Sequence, residues 1–265
     1  MDELVSFPRS VDVGGVVGSD GDGSVCVVFL DYQVGRKTPL LLGANREESF
    51  RRPTTSPICC QSGRFRCLLA GADHGPDGTF PKMGTWLGVN ETSLVVAVTN
   101  RNDGELPWEE QVHSRGLLAV ALLGYDDPEQ AARHAENELS QGGFGGSNFL
   151  IASPESGFIV HAPGAKRVTV GAIDQGIHAI TNLDLDDASD PRIRFIRDHL
   201  DPAHFVTSAQ SICRSDMIVI TGPDRGTVSS SQIIVGRQIE FHHLLGNPKR
   251  GVYHAFELSP PPSAP

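Results

Sequence analysis

The stretch TPLLLGANREESFRRPT (Thr38 to Thr54) runs from an apolar segment directly into a group of charged side chains. Its first half, residues 38–45, is a short β-rich run, which predicts a strand. Polar groups at the end of a strand lie at a sheet edge, where functional sites are common. On composition alone, the same cluster also fits a solvated turn in which arginines and glutamates pair with each other. The polar residues of the cluster are Asn45, Arg46, Glu47, Glu48, Arg51 and Arg52.

A second apolar run, CVVFLDY (Cys26 to Tyr32), precedes this stretch and is separated from it by the short loop QVGRK. We therefore expect the two runs to be neighbouring strands. Residues 1–25 are rich in Gly, Ser, Asp and Val and follow neither a helical nor an alternating pattern, so we expect a disordered N-terminal extension. The tail SPPPSAP (residues 259–265) is too rich in proline to pack. These features predict a single domain over residues 26–258.

The order of the predicted elements is strands, two helices, strands, two helices and strands. Strand pairs joined by tight turns indicate antiparallel sheets, and helices that come in pairs indicate layers outside those sheets. Asp127 and Asp190, each followed by a proline, are the predicted N-caps of two helices. The sequence therefore predicts an α+β fold in which two mainly antiparallel sheets form a sandwich flanked by helices on both sides. The helices are predicted within residues 109–125, 126–143, 190–200 and 207–215.

Composition excludes several classes of function. The chain of 265 residues has a net charge of −10 with its basic residues scattered, which argues against nucleic-acid partners and anionic membrane surfaces. No apolar run reaches the roughly eighteen residues of a membrane span, and the start of the chain lacks a signal-peptide pattern. Five cysteines, odd in number and unevenly spaced, predict free thiols in a cytoplasmic protein. Neither these nor the ten histidines have the spacing of a metal site, so we expect no metal and no cofactor.

The stretch ANREESFRRPT resembles the signature of the NRDE family, also called the transport and Golgi organisation protein 2 family. Members of that family typically begin with Met-Cys and an apolar strand, and the segment from Cys26 to Phe29 has this pattern. The segments MGTWLGV, VTN and SNFLIA, which begin at Met83, Val98 and Ser147, are similar to further motifs of the family. The resemblance covers nearly all of the predicted domain.

The family in turn resembles the N-terminal nucleophile (Ntn) hydrolases of the cholylglycine hydrolase and acid ceramidase type, which implies a four-layer αββα sandwich. It also implies a cysteine-dependent amidohydrolase that acts on a C–N bond of a small or lipid-like amide. Cys26 would be the nucleophile, and its α-amine, which as a chain terminus titrates near about pH 7.7 to 8.0, would be the base. The resemblance assigns the oxyanion to Asn100 and Asn182, the α-ammonium to Glu48, and orientation to Asn45 or Arg46. Apart from the resemblance, we expect Trp86 to be a core residue whose indole lines a pocket near Cys26. Trp86 and Arg52 are the predicted substrate contacts.

Cys26 is not the first residue of the chain, so the amine-assisted mechanism requires its amine to be exposed. Two routes would do so: autocatalytic cleavage after Val25, or translation that starts at Val25 from a GTG codon, followed by removal of the initiator. If neither occurs, Cys26 stays internal and the fold lacks that activity. The alternative function is a non-catalytic carrier that uses the same pocket for a lipid-like ligand or haem, because some relatives are associated with haem trafficking and lipid metabolism.

Overall fold

The computed structural model describes residues 6–7, 26–33, 36–52, 54–71, 84–107 and 110–258. The strands in this part of the chain are β1 (Ser6–Phe7), β2 (Val27–Tyr32), β3 (Leu40–Ser49), β4 (Ile58–Ser62), β5 (Phe65–Ala70), β6 (Leu87–Asn90), β7 (Val95–Asn100), β8 (Ser147–Ala152), β9 (Gly157–Ala162), β10 (Thr169–Ala172), β11 (Gly176–Ile180), β12 (Arg225–Val235), β13 (Ile239–Leu245) and β14 (His254–Phe256). The helices are α1 (Arg115–Leu122), α2 (Pro128–Ser140), α3 (Pro191–His199) and α4 (Phe205–Arg214).

The strands form two sheets. The first has the order β1-β4-β5-β6-β7-β8-β9-β10, and the second has the order β11-β2-β3-β12-β13-β14. All neighbouring strands are antiparallel except β1, which pairs in parallel with β4. The predicted pair of neighbouring strands, now β2 and β3, lies side by side in the second sheet.

Three buried apolar clusters separate four layers. Helices α1 and α2 pack on the outer face of the first sheet, the two sheets pack on each other, and α3 and α4 pack on the outer face of the second sheet. Strand β2 contributes to two of these clusters because successive side chains point to opposite faces: Val28 and Leu30 face the other sheet, whereas Val27 and Phe29 face the helices. The predicted αββα sandwich is confirmed.

The helix ends follow the predicted capping. The Asp127 carboxylate accepts hydrogen bonds from the backbone N–H groups of Glu129 and Gln130 at the start of α2. The Asp190 carboxylate accepts one from Arg192 N–H at the start of α3, and a proline occupies the first turn in both cases. Both predicted N-caps are confirmed, and α1 has a further one at Ser114.

The structure differs from the sequence-based expectation in the length of β3. The strand does not end at Asn45 but continues to Ser49, so that Asn45, Arg46, Glu47 and Glu48 lie within a strand, whereas Arg51 and Arg52 follow it and are exposed. Asn45, Arg46, Glu47 and Glu48 are each less than a tenth exposed. Burying a charged side chain costs free energy unless it is paired, and Arg46 and Glu48 form an ion pair with each other.

The two segments expected to be disordered, residues 1–25 and 259–265, lie outside the described residues, apart from strand β1. In β1, Ser6 is opposite Gln61 of β4. None of the helices that the structure describes has the length and apolar character needed to cross a membrane.

Candidate active site

A cavity of about 100 Å³ lies at the end of the sandwich where β3 and β7 finish and β2 and β6 begin. Cys26 immediately precedes β2, and the register of the two strands places Val27 opposite Asn45, so Cys26 is next to Arg46 of β3. Because side chains alternate along a strand, Arg46 and Glu48 point to the same face as Cys26. All three line the cavity.

Most of the site residues predicted from the sequence meet at this cavity. Besides Cys26 before β2 and the two residues on β3, Arg52 follows β3, Trp86 precedes β6 and Asn100 ends β7. Residues that are up to 74 positions apart in the sequence therefore share one wall. The predicted residues that line the cavity are Cys26, Arg46, Glu48, Arg52, Trp86 and Asn100.

Asn182 lies behind this wall and supports it. Its side-chain Nδ2 donates to the backbone carbonyl of Asn100 at 3.2 Å, and its backbone carbonyl accepts from Asn102 N–H at 3.1 Å. Asn182 is therefore linked to Asn100 through the backbone and is not part of the cavity lining. Its position supports a role in holding Asn100 in place.

Asn45 is not brought to the cavity. It points to the helix-covered face of β3, where its Nδ2 donates to the Cys213 carbonyl of α4 at 2.9 Å. Glu47 is on the same face, and its carboxylate accepts from Thr227 Oγ1 at 2.8 Å. The alternation of β3 thus divides the Asn-Arg-Glu-Glu motif between two layers of the protein.

The Glu48 carboxylate bridges two arginines at the cavity. Its Oε2 is 3.1 Å from both Arg46 Nη2 and Arg52 Nη1, and its Oε1 accepts from Ser49 N–H at 2.9 Å. Arg46 Nη1 also donates to Thr54 Oγ1 at 2.8 Å. Paired and hydrogen-bonded in this way, the buried carboxylate and guanidinium fix each other's position.

A close backbone approach at Gly71 holds the neighbouring side chains. This glycine has a φ of +55°, and a Cβ there would lie 2.8 Å from Trp86 Nε1 and 3.0 Å from Arg46 Nη1. Only a residue without a side chain lets the backbone pass so near to both groups. Gly71 therefore packs against two lining residues from outside the cavity, and it was not predicted as a site residue.

The Cys26 thiol is buried and electrostatically disfavoured as an anion. Burial raises the pKa of this thiol to about 12, and the negative charge of Glu47 acts in the same direction. Two effects lower the pKa instead: a hydrogen bond with the Glu47 backbone and the positive charge of the Arg46 guanidinium. In the intact chain, the sulfur is therefore a protonated thiol at neutral pH, and it needs a base to react as a nucleophile.

Further residues of the cavity were missed by the sequence analysis. Apart from Thr85, which precedes β6, they come from the start of α1 and the segment before it. There Ser114 caps the helix by accepting from Leu117 N–H at 3.3 Å. The sequence SRGLL carries this N-cap signal, which would have fixed the helix start. The main additional lining residues are Thr85, Gln111, His113, Ser114, Arg115 and Gly116.

Arg115 is the additional residue with the most distinctive environment. Its Nη1 donates to the Gly146 carbonyl at 2.9 Å. Burial lowers the pKa of its guanidinium to about 10, and the nearby Arg52 contributes to that decrease. Arg115 stays protonated at neutral pH, so the cavity has a third guanidinium group in addition to those of Arg46 and Arg52.

Comparison with known proteins places the chain in a family. A protein-family model described as Transport and Golgi organisation 2 matches residues 25–221. The human protein named Transport and Golgi organization protein 2 homolog is 32% identical over 108 residues, which are 38% of this chain and 36% of the human protein. The alignment therefore spans about a third of the curated relative.

Two solved structures share the fold. The N-acylethanolamine-hydrolyzing acid amidase ortholog of Caenorhabditis elegans superposes with a TM-score of 0.55 at 12% identity, covering 79% of this chain and 92% of that one. Penicillin V acylase from Agrobacterium tumefaciens gives a TM-score of 0.50 at 14% identity, covering 83% of each chain. At these identities the similarity establishes the fold alone, and it confirms the predicted Ntn-hydrolase-like architecture.

Proposed function

The chain belongs to the Transport and Golgi organisation 2 family, and on that premise we propose that it is a thiol amidohydrolase acting on a small or lipid-like amide. The observation that carries the proposal is the meeting of Cys26 with Arg46, Glu48 and Asn100 at one cavity of an Ntn-hydrolase-like fold. A sulfur nucleophile, a carboxylate and an amide donor are the groups that acyl transfer requires.

The base in the proposed reaction is the α-amine of Cys26, released by a chain start at this residue. An α-amine titrates near about pH 7.7 to 8.0, so part of it is neutral near pH 7 and can accept the thiol proton as Sγ bonds to the carbonyl carbon. Glu48 holds the resulting ammonium, and Arg46 orients the substrate. The five cysteines are free in the structure, which fits a reducing compartment such as the cytoplasm.

The proposed reaction has two stages, acylation of Cys26 and hydrolysis of the resulting thioester. Cys26 Sγ bonds to the amide carbonyl carbon, and the oxyanion accepts a hydrogen bond from the Asn100 amide, a contribution of roughly 3 kcal/mol for a well-placed donor. The C–N bond breaks, and the leaving amine takes the proton from the Cys26 ammonium. Water then hydrolyses the thioester to the free acid. Asn182 acts through Asn100, and Asn45 takes no part.

A second function, a non-catalytic carrier, is favoured by one observation. Where Cys26 is internal, its thiol has a pKa of about 12, so the sulfur is a weak nucleophile. The same cavity would then bind one end of a small or lipid-like ligand. At about 100 Å³ it is smaller than the roughly 300 to 1,000 Å³ of sites that enclose a drug-sized molecule, so haem would have to bind largely outside it.

The first test determines the N-terminus and the activity together. The protein is expressed from its native translation start, its intact mass and N-terminal sequence are measured, and it is incubated with a panel of N-acyl amides. We expect Cys26 at the N-terminus and an activity that Cys26→Ser reduces at least about 1,000-fold.

Cys59→Ser is the matched control, because Cys59 is on β4, outside the cavity lining. A homogeneous chain that retains its N-terminal extension and hydrolyses none of the amides would contradict the enzyme and favour the carrier. Titration with haem and with fatty acyl ligands would then test the second function.

A further inference from the structure

The charge of the cavity is opposite to that of the whole protein. The chain has a net charge of −10, yet the described residues that line the cavity include three arginines and one carboxylate, that of Glu48. Glu48 is bound by two of the three arginines, Arg46 and Arg52. Because the protein as a whole is acidic, the group of arginines is a feature of the cavity and not of the protein surface in general.

Arg115 is the cation that Glu48 does not bind. In the part of the chain that the structure describes, its guanidinium makes one hydrogen bond, to the neutral Gly146 carbonyl, and no ion pair with a carboxylate. Burial and the positive charge of Arg52 lower the pKa of Arg115, and the negative charge of Glu48 raises it by less. A half-buried guanidinium beside another one is unfavourable unless an anion joins them.

The position of Arg115 places that anion near the reacting sulfur. Arg115 and Cys26 line the same cavity, and the negative charge of a Cys26 thiolate would raise the Arg115 pKa, which requires the two groups to be close. The cavity of about 100 Å³ has room for only a small group of atoms. An anionic group bound by Arg115 is therefore separated by only a few bonds from a carbonyl that Cys26 attacks.

We propose that Arg115 is a specificity-determining residue that binds a carboxylate of the substrate, so that the preferred amide carries a carboxylate a few bonds from its scissile C–N bond. This inference rests on the proposed amidohydrolase function. The planar guanidinium matches a carboxylate through two parallel hydrogen bonds, which a neutral amide of the same shape cannot reproduce. N-Acyl amino acids are the simplest compounds of this class.

The test compares two ligands that differ only in charge. Binding of N-octanoylglycine and of its neutral analogue N-octanoylglycinamide to the full chain is measured by isothermal titration calorimetry, and hydrolysis of each is followed separately. We expect N-octanoylglycine to bind at least about tenfold more tightly, which corresponds to one charge-assisted hydrogen-bonded pair. Arg115→Gln should abolish this preference, and Arg115→Lys should retain part of it.

Arg133→Gln is the matched control, because Arg133 is an exposed arginine of α2 whose ion partner is Glu129. This control should keep the full preference for N-octanoylglycine. Thermal melting of each variant checks that the loss of the bond to Gly146 has not unfolded the protein, and the comparison of the two ligands on the unmodified protein does not depend on any variant.

The outcomes separate the two proposals. Hydrolysis of both compounds without a preference for the carboxylate keeps the amidohydrolase and overturns the role of Arg115. A preference that depends on Arg115 without any hydrolysis supports the anion site and contradicts the enzyme. Binding of neither compound, or a preference that Arg115→Gln leaves intact, overturns the inference.

Discussion

Replacing Glu47 by glutamine should make the protein more stable at neutral and alkaline pH. Glu47 is only 2% exposed, and its carboxylate accepts a hydrogen bond from Thr227 Oγ1 at 2.8 Å. Burial raises the pKa of the Glu47 carboxyl from its ordinary value of 4.5 to about 8, although Thr227 and the charge of Arg192 act to lower it. The folded protein therefore binds this proton more tightly than the unfolded chain does.

The size of the effect follows from the pKa difference. Each pKa unit corresponds to about 1.36 kcal/mol, and an acid whose pKa is raised by folding destabilises the fold once the pH exceeds its unfolded value. Ionisation of Glu47 thus costs nothing below pH 4.5 and on the order of 3 kcal/mol at pH 7. Above pH 8 the cost reaches about 5 kcal/mol, a large fraction of the 5 to 15 kcal/mol that typically stabilises a domain.

Urea unfolding followed by circular dichroism at pH 5, 6, 7 and 8 measures this effect in the unmodified protein and in Glu47→Gln. The difference in the free energy of unfolding between the two proteins cancels the titration of the other groups. We expect this difference to favour the variant increasingly, by about 3 kcal/mol between pH 5 and pH 8. A difference that does not change with pH would refute the reasoning, because Glu47 would then be as acidic in the folded protein as in the unfolded chain.

Two further predictions concern the packing and the charge around the same sheet. Gly43→Ala should lower the free energy of unfolding, measured in urea, by about 1 to 3 kcal/mol, because the added Cβ would lie 2.4 Å from the ring of Phe29. The double variant with Phe29→Leu should recover part of this loss. An unchanged free energy of unfolding in Gly43→Ala would contradict the close packing of Gly43 on Phe29. Burial and the charge of Arg46 lower the pKa of His243 from 6.5 to about 4, so stability present above pH 6.5 is lost as the pH falls towards 4. Between pH 7 and pH 4.5, His243→Gln should reduce the loss in the free energy of unfolding by about 2 to 3 kcal/mol. An equal loss in the unmodified protein and the variant would refute this role of His243.

The order of the elements could be predicted from the sequence because it depends on local patterns. Apolar runs with β-branched residues gave the strands, and Asp127 and Asp190 before prolines marked two helix starts that the structure confirms. The pairing order of the strands could not be derived in this way. It depends on contacts between distant segments, such as β3 with β12, which are about 180 residues apart in the chain.

The error in the length of β3 has a physical cause. A charged residue is usually exposed, so a sequence pattern assigns a charged run to a loop. Arg46 and Glu48 are buried here because they pair with each other, and Arg52, from beyond the strand, binds the same carboxylate. The conformation of the backbone that allows this pairing is a property of the folded sheet, so composition alone did not indicate it.

Arg115 was missed for a related reason. It lies 89 positions after Cys26, and the segment around it showed only a helical pattern. Its relevance arises because the first turn of α1 lines the same cavity as Cys26 and the end of β3. The spacing of apolar residues predicts which face of α1 is buried, but it does not predict which residues the start of the helix contacts.

The alternation of β3 connects the site to the stability of the protein. A strand that presents Arg46 and Glu48 to the cavity must place Asn45 and Glu47 on the opposite face, because successive side chains point in opposite directions. There Asn45 is held by the Cys213 carbonyl of α4 and Glu47 by Thr227 of β12. The motif that builds the cavity wall therefore also places polar residues on the helix-covered face of β3. The destabilising ionisation of Glu47 occurs on that face, away from the cavity. If the proposed function is correct, stabilising substitutions should therefore be found at Glu47, whereas substitutions of Arg46 and Glu48 should impair the reaction itself.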